Sequence, residues 1–188
     1  MYSTINDHDH LDPRLRIVNV VLTADVGNRL ECSTLAKHLR NAEYNPKRFA
    51  ALKHRIRHHG CAPTFLIFPS GKFVCAGAPS ITIARRAFER LFVYLQRFQH
   101  LERTNDITVQ NVVAHGTLGK RLCLPHLATR FRQQATYEAE LFPALKLELS
   151  VQHKIVTANL FSSGKFVLTG TTTCQALNEA CTQLFQLL

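Results

Sequence analysis

The 188-residue sequence predicts an α+β protein made of two copies of one strand-and-helix unit. Two observations carry that reading. The first is an internal repeat. Ile17-Val18-Asn19-Val20-Val21 returns as Val109-Gln110-Asn111-Val112-Val113, and Ser70-Gly71-Lys72-Phe73-Val74 returns as Ser163-Gly164-Lys165-Phe166-Val167. Gly77 matches Gly170, and Arg90-Leu91-Phe92 has a counterpart in Gln183-Leu184-Phe185, so the offset stays at 92 or 93 residues. Two copies of about 90 residues are too few for a solenoid and fit a pseudo-twofold pair. The second is the alternation, within each copy, of β-branched apolar runs with stretches of helical spacing.

Taken in order, residues 16–24 are β-branched and apolar and predict a strand. Residues 33–40 carry Leu35, Ala36 and Leu39 behind Ser33 and Thr34, which predicts a short helix capped by Ser33. Asn45-Pro46 predicts a turn. Residues 49–57, 64–68 and 72–76 read as three further strands, the last two joined by Pro69-Ser70-Gly71. Residues 80–98 form the longest helix, capped by Ser80, with Ile83, Ala87, Leu91, Tyr94 and Phe98 as its apolar stripe and Arg85, Arg86, Arg90 and Arg97 off it. Several strands are apolar on both faces, among them Ile17 to Leu22, Phe65 to Phe68 and Phe73 to Ala76. One long helix per copy covers one face of such a sheet. The other face either meets a partner or is buried between the two copies, since it is otherwise a large exposed apolar patch.

Composition narrows the partners. Hydrophobic residues make up 46% and charged residues 19%, with no low-complexity tract, which excludes global disorder. The net charge is +10 and the pI about 9.7, a balance suited to nucleic acid or an anionic surface. That charge is uneven, +8 over residues 1–100 and +2 over residues 101–188, so the first copy is expected to hold a phosphate backbone more strongly. Without a run of about 18 apolar residues no spanning helix is expected. The opening residues lack the basic-then-apolar pattern of a secretory signal. Six cysteines without a Cys-x-x-Cys pair are then expected as reduced thiols.

The run Asn41-Ala42-Glu43-Tyr44-Asn45-Pro46-Lys47-Arg48-Phe49-Ala50-Ala51, together with Tyr137-Glu138-Ala139-Glu140-Leu141-Phe142-Pro143, both Ser-Gly-Lys turns and the repeat, resembles the conserved core of the TATA-box-binding protein family. The resemblance covers roughly residues 15–188 and implies a saddle of two pseudo-symmetric repeats, residues 15–100 and 101–188, after a mobile tail of residues 1–14. It implies one curved ten-stranded antiparallel sheet with helices on the convex face and the apolar concave face on the minor groove of bent, A·T-rich promoter DNA. The long variable N-terminal region that many members of that family carry is not expected here.

Site residues follow from the resemblance position by position. Phe49, Phe68, Phe142 and Phe161 correspond to the family's wedges and obey the repeat offset. Rigid rings at two points can enter base steps and unstack them. Asn19 and Asn111 interrupt apolar strands at equivalent places, where a short amide can donate to the acceptors of A·T pairs. Alternation puts Val21 and Val113 on their face, with Leu66, Val74 and Val167 from neighbouring strands and Ala76 and Thr169 as the central pair. Arg48, Arg55, Ser70, Lys72, Ser163 and Lys165 are implied phosphate contacts. Glu138, Glu140 and Leu141 match the stirrup that meets transcription factor IIB, and Ala36, Asn41, Glu43 and Arg57 match the surface that meets transcription factor IIA.

Departures from the family pattern are specific. Ala76 stands where a threonine is expected, Asn159 where a groove-facing leucine is expected, and Glu148 where an arginine meets phosphate. Pro79 and Thr172 replace lysines, residues His58 to Ala62 hold a two-residue insertion, and the segment after Asn111 is shortened. These imply a weaker grip by the second copy and reduced preference for TATA over other A·T-rich sequence. His54, His58, His59 and Cys61 lack a paired Cys-x-x-Cys, so no metal is expected. No Walker loop, HExxH or GxSxG is present, so neither enzyme nor cofactor is expected.

The expected function is promoter binding and bending with recruitment of the RNA polymerase initiation machinery, in the nucleus or at a viral transcription site if virus-encoded, and without a membrane partner. The alternative is an adaptor or decoy that keeps factor docking with little DNA binding.

Overall fold

The computed structural model describes residues 11–57, 60–101 and 107–188. Among these, ten strands and four helices form the same series twice. In the first copy the elements are β1 (Leu15–Asp25), α1 (Cys32–His38), β2 (Ala42–Glu43), β3 (Leu52–Arg55), β4 (Thr64–Ile67), β5 (Lys72–Ala78) and α2 (Ile81–Leu95). In the second they are β6 (Ile107–Thr117), α3 (Leu124–Arg130), β7 (Ala135–Thr136), β8 (Ala144–Val151), β9 (Lys154–Phe161), β10 (Lys165–Thr171) and α4 (Cys174–Leu187).

Chain contacts divide the molecule into two compact units, residues 19–110 and residues 111–188 joined by the segment up to Val18. In the first unit the strand order is β2-β3-β4-β5-β1, all antiparallel. The second unit repeats it as β7-β8-β9-β10-β6. In each unit side chains alternate between a helix-covered face and an open face, as period-2 strands require.

On the covered face of the first unit, Val20, Leu22, Phe65, Ile67, Phe73 and Cys75 are fully buried. Helix α2 supplies Phe88, whose ring lies 5.4 Å from Phe73 edge-on and 6.5 Å from Phe65. In the second unit Leu145, Leu147, Leu160, Phe166 and Leu168 play that part under α4, which buries Leu177, Ala180, Cys181 and Leu184. No disulfide joins any of the six cysteines. Burial pushes the Cys75 thiol up to about 12, so it stays a neutral apolar side chain.

Several local expectations change. Helix α1 starts at Cys32, not Ser33. Its N-cap is Glu31, which makes no side-chain cap bond, because burying Cys32 and Leu35 sets the start of the turn. The third strand is Leu52–Arg55 and not 49–57, since after Pro46 the amides of Arg48 and Phe49 both donate to the Asn45 carbonyl and close a turn. Helix α2 keeps Ser80 as cap, its hydroxyl accepting from the Ile83 amide at 3.1 Å. Its buried stripe, however, is Ile81, Ala84, Ala87, Phe88, Leu91, Phe92 and Leu95, so Ile83, Tyr94 and Phe98 leave it. Phe98 lies past the helix end and stacks on His38 at 4.2 Å.

The tail expectation is also corrected at its C-terminal end. The Asp12 amide donates to Asn178 Oδ1 at 2.8 Å, and the Arg14 guanidinium lies 4.1 Å above the Phe185 ring, which ties this segment to the second unit. Residues 1–10 lie outside the described residues.

Two features fix the site-bearing turns. Gly71 and Gly164 have φ of +94° and +84°, and a Cβ at either would strike a backbone carbonyl, of Asn28 and Lys120 respectively. The Ser-Gly-Lys turns therefore demand glycine sterically, and each positions the phenylalanine before it: the Gly71 amide donates to the Phe68 carbonyl and the Gly164 amide to that of Phe161. The second feature is a break in register at equivalent places, between Val20 and Leu22 on β1 and between Leu168 and Thr171 on β10.

Candidate nucleic-acid interface

The open faces carry the expected side chains. In the first unit, antiparallel register lays out two cross-strand rows, Lys53–Leu66–Val74–Thr23 and Arg55–Thr64–Ala76. Val21 and Asn19 continue the same face along β1. In the second unit the rows are Lys146–Asn159–Val167–His115 and Glu148–Thr157–Thr169, with Asn111 and Val113 on β6. Leu66, Val74, Val167, Val21 and Val113 are all only half-buried, so the apolar character of each open face is left for a partner.

The wedge candidates form two matching pairs. Phe49 and Phe68 meet edge-on with ring centroids 6.3 Å apart, and Phe142 and Phe161 do so at 6.2 Å. Phe49 and Phe142 are each 50% exposed, whereas Phe65, Phe73 and Phe166 are fully buried. A half-exposed pair projecting from a turn at one end of an apolar face lies outside the core.

Each central asparagine has its carbonyl end committed. Asn19 Oδ1 accepts from the Gly77 amide at 2.7 Å, and Asn111 Oδ1 accepts from the Gly170 amide at 3.1 Å. Both glycines sit at positive φ beside the register breaks, where their amides leave the ladder. An N–H donor must face oxygen, so each amide group turns its NH2 end away from the glycine. Asn111 Nδ2 donates to Thr169 Oγ1 at 3.0 Å, an interaction Ala76 cannot offer Asn19. A purely structural amide and a groove-reading donor were the alternatives at these positions; the geometry gives the oxygen a structural partner at both, and at Asn111 it gives the nitrogen one as well.

The charged candidates Arg48, Arg55, Lys72 and Lys165 are exposed, as are Ser70 and Ser163. Beside Phe68, Thr23, Asp25, Ser70, Lys72, Val74 and Thr108 line an open depression of about 540 Å³. Residue-by-residue reading passed over Thr64, Thr157, Lys53, Lys146 and His115; strand alternation around Leu66 and Asn159 is the signal that would have found them. On the remaining surfaces, Glu138, Glu140 and Leu141 occupy an exposed turn after β7, with Leu141 80% exposed. Asn41, Glu43 and Arg57 are exposed and Ala36 half-buried around α1 and β2.

Of the histidine cluster, His58 and His59 lie outside the described residues. His54 points to the covered face, 7% exposed with Nδ1 unpartnered, and its burial holds the imidazole below its ordinary pKa. Among the described residues no three His, Cys, Asp or Glu side chains gather as metal ligands, and no helix is long and apolar enough to cross a membrane.

A sequence profile of the family described as transcription factor TFIID, or TATA-binding protein, matches residues 14–98 and again residues 106–188. The chain belongs to the TATA-binding protein family. The chain is 39% identical over 170 residues to the TATA-box-binding protein of Acanthamoeba castellanii, covering 90% of this chain and 64% of that protein. It is 38% identical over 176 residues to that of Caenorhabditis elegans, covering 94% of this chain and 51% of the relative. The chain thus spans between half and two-thirds of the length of these family members. The solved structure of Methanococcus jannaschii TBP superposes with a TM-score of 0.79 at 31% identity, covering 93% of this chain and 97% of the other. The family therefore accounts for the two-repeat α+β architecture.

Proposed function

We propose that this chain is a general transcription initiation factor that binds and bends A·T-rich, TATA-like promoter DNA through the minor groove and presents the bent complex to initiation factors. The observation that carries this reading is the duplicated pair of half-exposed phenylalanines at the end of a half-exposed apolar sheet face. Apolar side chains suit the minor-groove floor of A·T pairs, which lacks the guanine amino group. The Asn19 Nδ2, and the second N–H of Asn111 Nδ2 beside its bond to Thr169, would supply donors for the acceptors that remain. Inserted rings unstack a base step at roughly a few kcal/mol each, offset by the wider contact that bent DNA allows. Arg48, Arg55, Lys72 and Lys165, with Ser70 and Ser163, would meet the phosphates. Nuclear action fits relatives from amoeba and nematode, and a viral transcription site applies if the chain is virus-encoded.

The direct test is a mobility-shift titration against TATA and scrambled duplexes with a bending readout. Binding and bending of the TATA duplex at lower concentration than the scrambled one is the expected result; equal weak retention of both would sink the reading.

Glu148 makes a second, electrostatic prediction. It lies in the open-face row of Arg55's counterpart, paired with Lys146 at 3.0 Å, so it takes one cation from the backbone's reach and adds an anion. Glu148→Arg should strengthen binding to all sequences and steepen the log–log salt dependence by about 0.9 per phosphate gained. An unchanged slope across several salt concentrations would place residue 148 away from DNA.

The adaptor reading is favoured by one feature, the 80%-exposed Leu141 directly after two exposed acidic residues, Glu138 and Glu140. These residues would receive a transcription factor IIB-like partner, and Ala36, Asn41, Glu43 and Arg57 a transcription factor IIA-like one. DNA binding in the shift assay decides between the two.

A further inference from the structure

The two open faces differ in polarity in the middle of one cross-strand row. In the first unit the row Lys53–Leu66–Val74–Thr23 has leucine on β4; in the second, Lys146–Asn159–Val167–His115 has asparagine on β9. Asn159 is half-buried, directly between Lys146 and Val167 in register, and among the described residues its side-chain amide makes no hydrogen bond. Its surroundings do not claim it. The Lys146 ammonium is paired with Glu148, and the Asn111 amide with Thr169 and Gly170. Asn159 therefore offers an uncommitted carbonyl oxygen on a face whose first-unit counterpart offers only methyl groups.

The minor groove gives such an oxygen one specific use. A·T pairs show acceptors alone, and a G·C pair adds the guanine 2-amino donor. Against Leu66 that amino group would be dehydrated without a partner, which disfavours guanine. Against Asn159 Oδ1 it finds an acceptor.

We propose that the second repeat accepts a G·C pair at the minor-groove position facing Asn159, so that the recognised site is A·T-restricted under the first repeat and guanine-tolerant under the second. This rests on the DNA-binding reading above and names the sequence class of one half of that same interface.

The test is a shift titration on an A·T-rich duplex in which each pair in turn is replaced by G·C or by inosine·C, which lacks the 2-amino group. Under the first repeat guanine should bind about tenfold more weakly than inosine. At one position under the second repeat guanine should equal or exceed inosine, by up to roughly tenfold, the worth of a single groove hydrogen bond. Asn159→Leu should abolish that advantage, and Leu66→Asn, made separately, should create a second guanine-tolerant position. A scan in which inosine beats guanine everywhere overturns the proposal, as does a scan that neither substitution changes. Failure to retain any duplex overturns the DNA-binding reading and this proposal with it, whereas binding without the asymmetry overturns the proposal alone.

Discussion

Replacing Phe49 and Phe142 together by alanine is expected to lower affinity for an A·T-rich duplex by about thirtyfold or more and to remove the bend. Stacking an aromatic ring on a base contributes roughly 1–3 kcal/mol when tested by alanine substitution, and two rings act here. Folding should barely change. Each ring is 50% exposed and its ring contact is with Phe68 or Phe161, which belong to the same pair. Truncations that exposed cost no more than about 1 kcal/mol of stability each. The two readouts are duplex affinity with energy-transfer bending and urea unfolding. A double variant that unfolds early but still bends DNA when folded would return these rings to the core and leave the open faces without wedges.

The opposite behaviour is expected one layer below. Phe88→Ala should destabilise the protein by about 3–5 kcal/mol, the range for emptying a buried aromatic site. Phe88 is 2% exposed and touches three rings: Phe73 edge-on at 5.4 Å, Phe92 at 6.1 Å and Phe65 at 6.5 Å. Its counterpart in the second unit is the much smaller Cys181, so that core gains nothing from the change. At an m-value of roughly 1–3 kcal/mol/M, the urea midpoint should fall by about 1–2 M or more. Variant protein that remains folded should keep its duplex affinity, since α2 lies on the covered face. A shift under about half a molar would mean that α2 slides into the cavity and closes it.

These paired expectations separate what was legible in the residues from what was not. The repeat, the order of element types and the equivalent places of the phenylalanines and asparagines in the two copies were legible, because they depend on spacing and residue identity along one chain. Phe49 and Phe142 stood out through the family resemblance and obey the repeat offset, and Ser80 stood out through the cap chemistry of the helix behind it. The start of α1 at Cys32, the buried stripe of α2 and the shortness of β3 were not legible. Propensity places such boundaries only loosely, and burial of Cys32, Phe88 and Leu52 decides them.

By itself the sequence determined that two similar α+β units exist, that each has strands apolar on both faces, and which residue types stand at equivalent places in the two. Tertiary structure alone decided what those residues confront. Asn19 and Asn111 turn their oxygens toward Gly77 and Gly170 because a register break frees a glycine amide that only an oxygen can satisfy. Asn159 shares a row with Val167 and Lys146, and Glu148 shares one with Thr169, only because antiparallel pairing brings together residues distant in sequence. Local pattern sets which face a side chain takes; pairing register sets its neighbours, and register is a property of the assembled sheet.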